Sequence, residues 1–155
     1  DAVRFCAEAR RLRPDIVFGA DLIAGFPTET DEMFKRSLDI VEDCGLTWLH
    51  VFPYSPRKGT PAARMPQVPR PLAKARAQRL RAKGETMVCR HLEGARGRDL
   101  EVMIEGDGVG RTPHFAEMTF EREGHRPHQD HALGSLVTAR VTGHDGRRLK
   151  GDVLP

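Results

Sequence analysis

The sequence predicts an α/β segment followed by an all-β segment, because its hydrophobic pattern changes near Gly94. Before that glycine, strand-like apolar runs alternate with apolar residues at three- and four-residue spacing. After it, short alternating runs are separated by glycine-rich turns. The hydrophobic content of 39% suits two small cores better than one large core. We therefore predict the end of an α/β barrel at residues 1–69, a helix that closes it and links onward at 70–93, and a small β-barrel at 94–155.

The α/β prediction depends on a strand, a helix and a second strand within residues 16–52. Residues 16–24 are nearly continuously apolar, which favours a central strand buried on both faces. Thr28 and Asp31 are spaced like a capping box at the start of a helix, and Gly45 suits its end. The next strand is predicted at residues 46–52. Such a βαβ unit implies parallel strands and a right-handed crossover.

A proline-rich loop is predicted after the second strand, since residues 53–71 contain six of the eleven prolines. Helical spacing returns at residues 72–93. The predicted apolar stripe of this helix consists of Ala73, Ala77, Leu80, Gly84, Met87 and Val88. Arg76 and Lys83 are predicted to lie outside the stripe.

The C-terminal segment has the pattern of a small closed β-barrel. Alternating runs are found at residues 100–104, 115–120, 136–141 and 149–154, with glycine-containing turns between them. Closing such short strands into a barrel removes exposed sheet edges. We expect an OB-like architecture.

The formal net charge of +3 is unevenly distributed. Residues 70–98 contain nine Lys and Arg against two Glu, a net of +7, whereas residues 1–69 and 99–155 carry −1 and −3. A basic segment of this kind can face a polyanion, and we assign Arg76 and Lys83 to RNA contacts. Arg57 and Lys58 lie in the stiff proline-rich loop, where they could bind an RNA phosphate or a cofactor carboxylate. The alternative interpretation is that they are solvated surface charges.

Composition excludes several other classes. No apolar run approaches the roughly 20 residues of a membrane span, and no charged-then-apolar leader is present, which favours a soluble cytoplasmic protein. Cys6, Cys44 and Cys89 are too far apart for a metal cluster and odd in number, so they are interpreted as small hydrophobes or incidental thiols. The chain begins without Met inside a helical pattern, and its N-terminus is interpreted as a cut.

Two loop segments carry a family resemblance. Residues 23–30 (Ile-Ala-Gly-Phe-Pro-Thr-Glu-Thr) and 50–62 (His-Val-Phe-Pro-Tyr-Ser-Pro-Arg-Lys-Gly-Thr-Pro-Ala) resemble the last two strand-loop segments of radical S-adenosylmethionine methylthiotransferases. The second segment, with residues 44–46 before it and 64–68 after it, is most similar to the branch that modifies threonylcarbamoyladenosine in tRNA. Residues 110–115 (Gly-Arg-Thr-Pro-His-Phe) are similar to the TRAM domain that ends these enzymes. The resemblance covers essentially the whole chain.

The resemblance implies an iron–sulfur enzyme that cleaves S-adenosylmethionine and inserts sulfur and a methyl group into an adenine beside the anticodon. It implies cofactor contacts for Ile23, Gly25, Val51 and Phe52, and RNA contacts for the barrel residues Arg111, His114 and Arg140. The family's four-iron four-sulfur clusters are held by a CxxxCxxC triplet and a further cysteine set, and neither pattern occurs in this sequence. We therefore expect the chain alone to be inactive, with the N-terminal part of the same protein and the tRNA anticodon stem-loop as its partners.

Alternatives stay open at several positions. Ile23, Val51 and Phe52 also suit a plain hydrophobic core. His125, His128 and His131, with Asp130, have loose metal-like spacing, although a polar loop is favoured. A non-enzymatic RNA-binding module would also need a basic helix and a small barrel. An enzyme of the same class acting on another modified adenosine or on a ribosomal protein is the third possibility.

Overall fold

The computed structural model of the chain describes residues 1–106, 108–120 and 132–155. The chain divides into two compact units, Asp1–Met87 and Val88–Pro155. Helix α3 (Arg70–Ala95) contributes residues to both units. It begins at the first residue of the helix predicted at residues 70–93, two residues before the helical spacing starts, and it ends two residues later than predicted.

The first unit contains a parallel βαβ arrangement, as predicted. After helix α1 (Ala2–Leu12), strand β1 (Phe18–Ala24) leads through helix α2 (Asp31–Asp43) to strand β2 (Leu46–Pro53). The two strands pair in parallel from Phe18 opposite Leu46 to Ala24 opposite Pro53. A short 3-10 helix, Ala62–Arg64, interrupts the loop that follows β2.

The start of α2 differs from the sequence prediction. Thr30 is the N-cap, and its hydroxyl accepts the Met33 N–H at 3.2 Å. Thr28 instead lies before the helix with φ of 68°, so the Thr28–Asp31 capping box is wrong. Gly45 has φ of 57° just after the helix, which confirms the predicted left-handed end.

One face of the two-stranded sheet packs on a core, and the other is open. Phe34, Val41 and Leu80 are almost completely buried on the helices that cover the packed face. On the opposite face, Ile23 and Phe52 are adjacent in the register and are each 52% exposed. The prediction that β1 is buried on both faces is therefore wrong for this chain, because no described residue covers that side.

The described residues of the second unit form a closed barrel of five short strands, which confirms the predicted small β-barrel. They are β3 (Asp99–Gly106), β4 (Val109–Arg111), β5 (Glu117–Phe120), β6 (Leu136–His144) and β7 (Leu149–Val153). The order around the barrel is β3-β4-β5-β7-β6; the β5–β7 pair is parallel, and the other four pairs of these strands are antiparallel. Small and medium apolar side chains fill its interior, including Val102, Ile104, Met118, Val141 and Leu149.

Two local features of the barrel differ from the sequence pattern. Strand β4 is not predicted, because three residues with two-fold alternation give too short a signal. The predicted strand at residues 115–120 begins only at Glu117. Phe115 lies in the preceding turn with φ of 67°, outside the extended region.

All three cysteines are free, and two of them are buried as predicted. Burial raises the pKa of the Cys44 thiol, and the neighbouring Cys6 raises it further. Cys89 is exposed on α3. Among the residues described, no helix has both the length and the apolar character needed to cross a membrane.

Candidate functional site

The carboxyl ends of β1 and β2 form a common rim. Ala24 and Pro53 are paired as the last residues of their strands, and the Tyr54 N–H donates to the Ala24 carbonyl at 2.8 Å. The loops that start at Gly25 and Tyr54 therefore leave from the same edge. The two loop segments that carry the family resemblance thus meet at one rim.

Gly25 is buried at this rim, where its backbone is closely surrounded. Its φ is 73°, and its N–H donates to the Glu29 carboxylate at 3.0 Å. A Cβ added at Gly25 would lie 2.3 Å from the Ala73 Cβ and 2.8 Å from the Ala73 Cα. Close packing against α3 is thus one reason for glycine at this position.

A buried ion cluster joins the rim to α3. The Arg76 guanidinium donates to the Glu29 carboxylate at 2.7 Å, to the Glu29 carbonyl at 2.9 Å and to the Asp31 carboxylate at 2.6 Å. The Arg76 side chain is 4% exposed, and that of Glu29 is 7% exposed. Burial alone would lower the pKa of Arg76, but the hydrogen bonds that it donates to Asp31 and Glu29 outweigh burial and raise that pKa.

The placement of Arg76 outside the buried stripe is therefore wrong. Its spacing from Ala73, Ala77 and Leu80 puts it on the same side of α3, and two acidic residues of the rim neutralise it there. Arg76 anchors the rim loop through these contacts. Lys83 is also engaged, since its Nζ lies 2.8 Å from the Glu42 carboxylate.

The four residues assigned to the cofactor occupy three different environments. Ile23 and Phe52 lie side by side on the open face of the sheet. Val51 is 7% exposed and belongs to the hydrophobic core, as the alternative interpretation expects. Gly25 is buried under the rim. The structure thus brings together only Ile23 and Phe52 as an accessible apolar surface.

A cavity of about 550 Å³ lies between the rim loops and the start of α3. Gly25, Tyr54, Arg70 and Lys74 line it together with several prolines. The Tyr54 hydroxyl is buried and has no hydrogen-bond partner among the described residues. A buried hydroxyl in this state can bond to a polar ligand group. Tyr54 is not among the site residues predicted from the sequence. Its position in a proline-rich loop directly after a buried strand was a signal of a site residue.

The predicted cations on the barrel are neutralised by neighbouring carboxylates. Arg111 donates to Glu105 at 2.7 Å, and Arg140 donates to Asp99 at 2.8 Å. The hydrogen bond from Arg111 lowers the pKa of Glu105, and that from Arg140 lowers the pKa of Asp99. Either guanidinium must share its hydrogen bonds if it contacts a phosphate. Arg57 and Lys58 are exposed on the rim loop.

A second cavity, of about 200 Å³, lies within the second unit. Among the described residues, Arg90, His91, Arg98 and His114 contribute the charged and imidazole groups of its lining. The rings of His91 and His114 meet edge to face with centroids 6.2 Å apart. Burial lowers the pKa of His91, and the charges of His114 and Arg98 lower it further. His114 is one of the residues predicted to contact RNA. Arg90, His91 and Arg98 are not predicted individually, although they lie within the basic segment 70–98.

The described residues contain no group of side chains suited to metal binding. In residues 1–106, 108–120 and 132–155, no group of three or more His, Cys, Asp or Glu side chains is arranged to hold a metal ion. The histidines with metal-like spacing, His125, His128 and His131, lie outside the described residues, as does Asp130.

Comparison with known proteins relates the chain to one group of enzymes. It is 43% identical over 148 residues to a threonylcarbamoyladenosine tRNA methylthiotransferase MtaB of Rickettsia prowazekii, covering 96% of this chain and 34% of that protein. It is 38% identical over 146 residues to a tRNA-2-methylthio-N(6)-dimethylallyladenosine synthase of Bifidobacterium longum, covering 89% of this chain and 30% of that protein. The synthase of Cereibacter sphaeroides is 33% identical over 162 residues, covering 98% of this chain and 35% of that protein.

These matches fall in the C-terminal region of the relatives. The chain spans about a third of the length of the curated relatives it matches. No protein-family model matches it.

Proposed function

We propose, because this chain belongs to the tRNA methylthiotransferase family, that it is the C-terminal part of an enzyme that adds a 2-methylthio group to threonylcarbamoyladenosine beside the tRNA anticodon. The observation that carries the proposal is the 43% identity to the Rickettsia protein across 96% of this chain. Its partners are the anticodon stem-loop and the N-terminal part of the same protein. We place the activity in the cytoplasm.

The first unit supplies part of the S-adenosylmethionine pocket. Two observations support this assignment: the exposed apolar pair Ile23 and Phe52, and the unpartnered Tyr54 hydroxyl at the rim cavity. The apolar pair suits an adenine ring, and the rim offers polar contacts. S-adenosylmethionine supplies the radical chemistry when it is bound. In this arrangement the unit belongs to the end of a radical S-adenosylmethionine barrel.

The iron–sulfur clusters that the family implies do not fit the described residues. Cys6 and Cys44 are buried side by side in the first core, and Cys89 is exposed on α3. Two adjacent thiols in the first unit and a single thiol in the second do not make the cysteine set that a four-iron cluster requires. We assign cluster ligation to the rest of the enzyme, and we propose that this chain alone is catalytically inactive.

The second unit holds RNA as a TRAM-type domain. Support comes from the closed five-stranded barrel and from the cavity lined by Arg90, His91, Arg98 and His114. Arg57 and Lys58 on the rim add exposed charge for phosphates. Lys83, Arg111 and Arg140 contribute only to the extent that RNA displaces their carboxylate partners. Arg76 is not proposed as an RNA contact, because Glu29 and Asp31 already bind its guanidinium.

Loss of the complete gene is expected to remove the 2-methylthio group from threonylcarbamoyladenosine in cellular tRNA while the unmethylthiolated nucleoside remains. Mass spectrometry of digested tRNA measures both nucleosides, and a plasmid copy of the gene is the control that restores the modification. Retention of the 2-methylthio group in the deletion strain would overturn the proposal.

The same experiment distinguishes a second substrate, which the names of the Bifidobacterium and Cereibacter relatives favour. If 2-methylthio-N6-dimethylallyladenosine disappears instead, the substrate is dimethylallyladenosine. If neither nucleoside changes but the protein binds tRNA, the non-enzymatic RNA-binding module is correct.

The double change Ile23→Gln with Phe52→Gln is expected to weaken S-adenosylmethionine binding by the complete enzyme about tenfold or more, because it removes apolar contact with the adenine. Both residues are 52% exposed in this chain, so its melting temperature should change little. Isothermal calorimetry measures the affinity. Leu12→Gln, at an exposed position on α1, is the matched control. Equal affinities for the double variant and the control would remove the pair from the pocket.

A further inference from the structure

Phe115 presents its ring to solvent from an unfavourable backbone conformation. Its side chain is 72% exposed, and its φ is 67°. Bulky residues rarely adopt positive φ, and such positions concentrate where a site needs a side chain held in one direction. Hydrophobic burial does not account for a ring so exposed. We therefore look to a binding role for the Phe115 ring.

Four hydrogen bonds between described residues restrain the backbone around Phe115. Its N–H donates to the Thr112 carbonyl at 3.0 Å, and the Arg111 guanidinium donates to the Phe115 carbonyl at 3.3 Å. The Ala116 N–H donates to the Thr112 hydroxyl at 3.1 Å, and the Thr112 N–H donates to the Ala116 carbonyl at 2.9 Å. Thr112 is itself buried. The loop thus presents an aromatic ring with little freedom left to lose on binding.

The residue before Phe115 lines the smaller cavity. His114 shares that lining with Arg90, His91 and Arg98, and the cavity volume is about 200 Å³. This volume is below the range of about 300–1,000 Å³ typical of whole-ligand pockets, so it suits one small group. Two arginines and two histidines at one cavity give it donors that suit an anion. The pKa of His91 is lowered first by burial and then by the charges of His114 and Arg98, and the second cause agrees with a positive potential there.

An exposed aromatic ring next to a cationic cavity is the combination that binds single-stranded nucleic acid. Bases stack on aromatic rings, and cationic groups hold the backbone phosphates. Phe5 provides a contrast within the chain: it is 69% exposed, but it lies on α1 in the other unit.

We propose that residues 112–116 and the adjoining cavity bind one unpaired nucleotide of RNA, with its base stacked on Phe115 and a neighbouring phosphate in the cavity. The inference rests on the proposed RNA-binding role of the second unit and names the contact. Stacking requires an unpaired base, so a loop nucleotide of the anticodon stem-loop is the ligand.

Phe115→Ala is expected to weaken binding of a labelled anticodon stem-loop to the chain by roughly 5- to 100-fold, the usual loss for one base–aromatic stack. Phe115→Trp should keep wild-type affinity, and its indole fluorescence should be quenched when RNA is added. Phe5→Ala is the matched exposed-ring control and should not change the affinity. Fluorescence anisotropy measures binding, and circular dichroism establishes that the variants are folded.

Arg98→Gln tests the cavity. It is expected to flatten the slope of log affinity against log salt concentration by about 0.7, the value for one phosphate of a single strand. Arg13→Gln, which removes an exposed charge from the first unit, should leave that slope unchanged.

The outcomes separate the two levels of inference. If the wild-type chain does not bind the stem-loop, the proposed RNA-binding role fails. If it binds and Phe115→Ala matches Phe5→Ala, the stacking contact is refuted while the RNA-binding role stands. An unchanged salt slope for Arg98→Gln removes the phosphate from the cavity. Equal loss of affinity for a fully paired RNA duplex on Phe115→Ala also contradicts recognition of an unpaired base.

Discussion

Arg76→Met is expected to lower the free energy of unfolding of the first unit by about 3–5 kcal/mol, the usual cost of breaking a buried ion pair by removing one partner. The change leaves the Glu29 carboxylate, 7% exposed, without its guanidinium partner. Asp31 contributes less, because its side chain is 94% exposed and readily hydrated. Urea denaturation followed by fluorescence of Trp48, the only tryptophan, measures the effect.

Two further variants identify the cause of that loss. Lys74→Ala removes an exposed charge from the same helix and should change stability by less than about 0.5 kcal/mol. The double change Glu29→Gln with Arg76→Met removes both charges and should recover part of the loss, since no isolated buried charge remains. Stability of Arg76→Met within about 1 kcal/mol of wild type would mean that the cluster is hydrated and structurally unimportant.

The regular parts of both units could be predicted because local patterns determine them. The apolar runs around β1 and β2, with the helical spacing between them, predicted the βαβ unit. Gly45 marked the end of α2 because a left-handed residue is needed there. The glycine-separated alternating runs predicted a barrel, although β4 was too short to detect.

The position of Arg76 could not be predicted from charge alone. Helical spacing places it beside Ala73 and Ala77, but an arginine at such a position is expected at the surface unless a partner is known. Its partners, Glu29 and Asp31, are more than 40 residues earlier in the chain. Only the tertiary structure brings these charges together.

The open face of the sheet marks another limit of the sequence pattern. Ile23 and Phe52 have the apolar character of buried strand residues, yet each is 52% exposed in this chain. An apolar pattern predicts that one face of a strand is buried in the functional protein. It does not identify the structural element or ligand that buries it. For the same reason, the sequence did not separate Val51, which packs in the core, from its two accessible neighbours.

Gly25→Ala is expected to destabilise the first unit by about 2–4 kcal/mol, as the sum of a left-handed conformation forced on alanine and overpacking against α3. The new Cβ would lie 2.3 Å from the Ala73 Cβ and 2.8 Å from its backbone Cα. Gly59→Ala is the matched control, since Gly59 has φ of 89° but no atom within 4 Å of an added Cβ. It should cost only about 1–2 kcal/mol, and the difference between the variants isolates the steric contribution.

Ala73→Gly in the Gly25→Ala background tests whether α3 is the obstacle. Removing the Ala73 Cβ eliminates the 2.3 Å contact and leaves the 2.8 Å contact with Cα, so the rescue should be partial. We expect a favourable coupling energy of about 1 kcal/mol or more between the two positions, because residues in direct contact are not additive. Thermal and urea denaturation of the four variants in the cycle measures it. Additive effects, or equal losses for Gly25→Ala and Gly59→Ala, would show that the rim tolerates a side chain at Gly25. The reason for glycine would then lie in the cofactor pocket rather than in packing against α3.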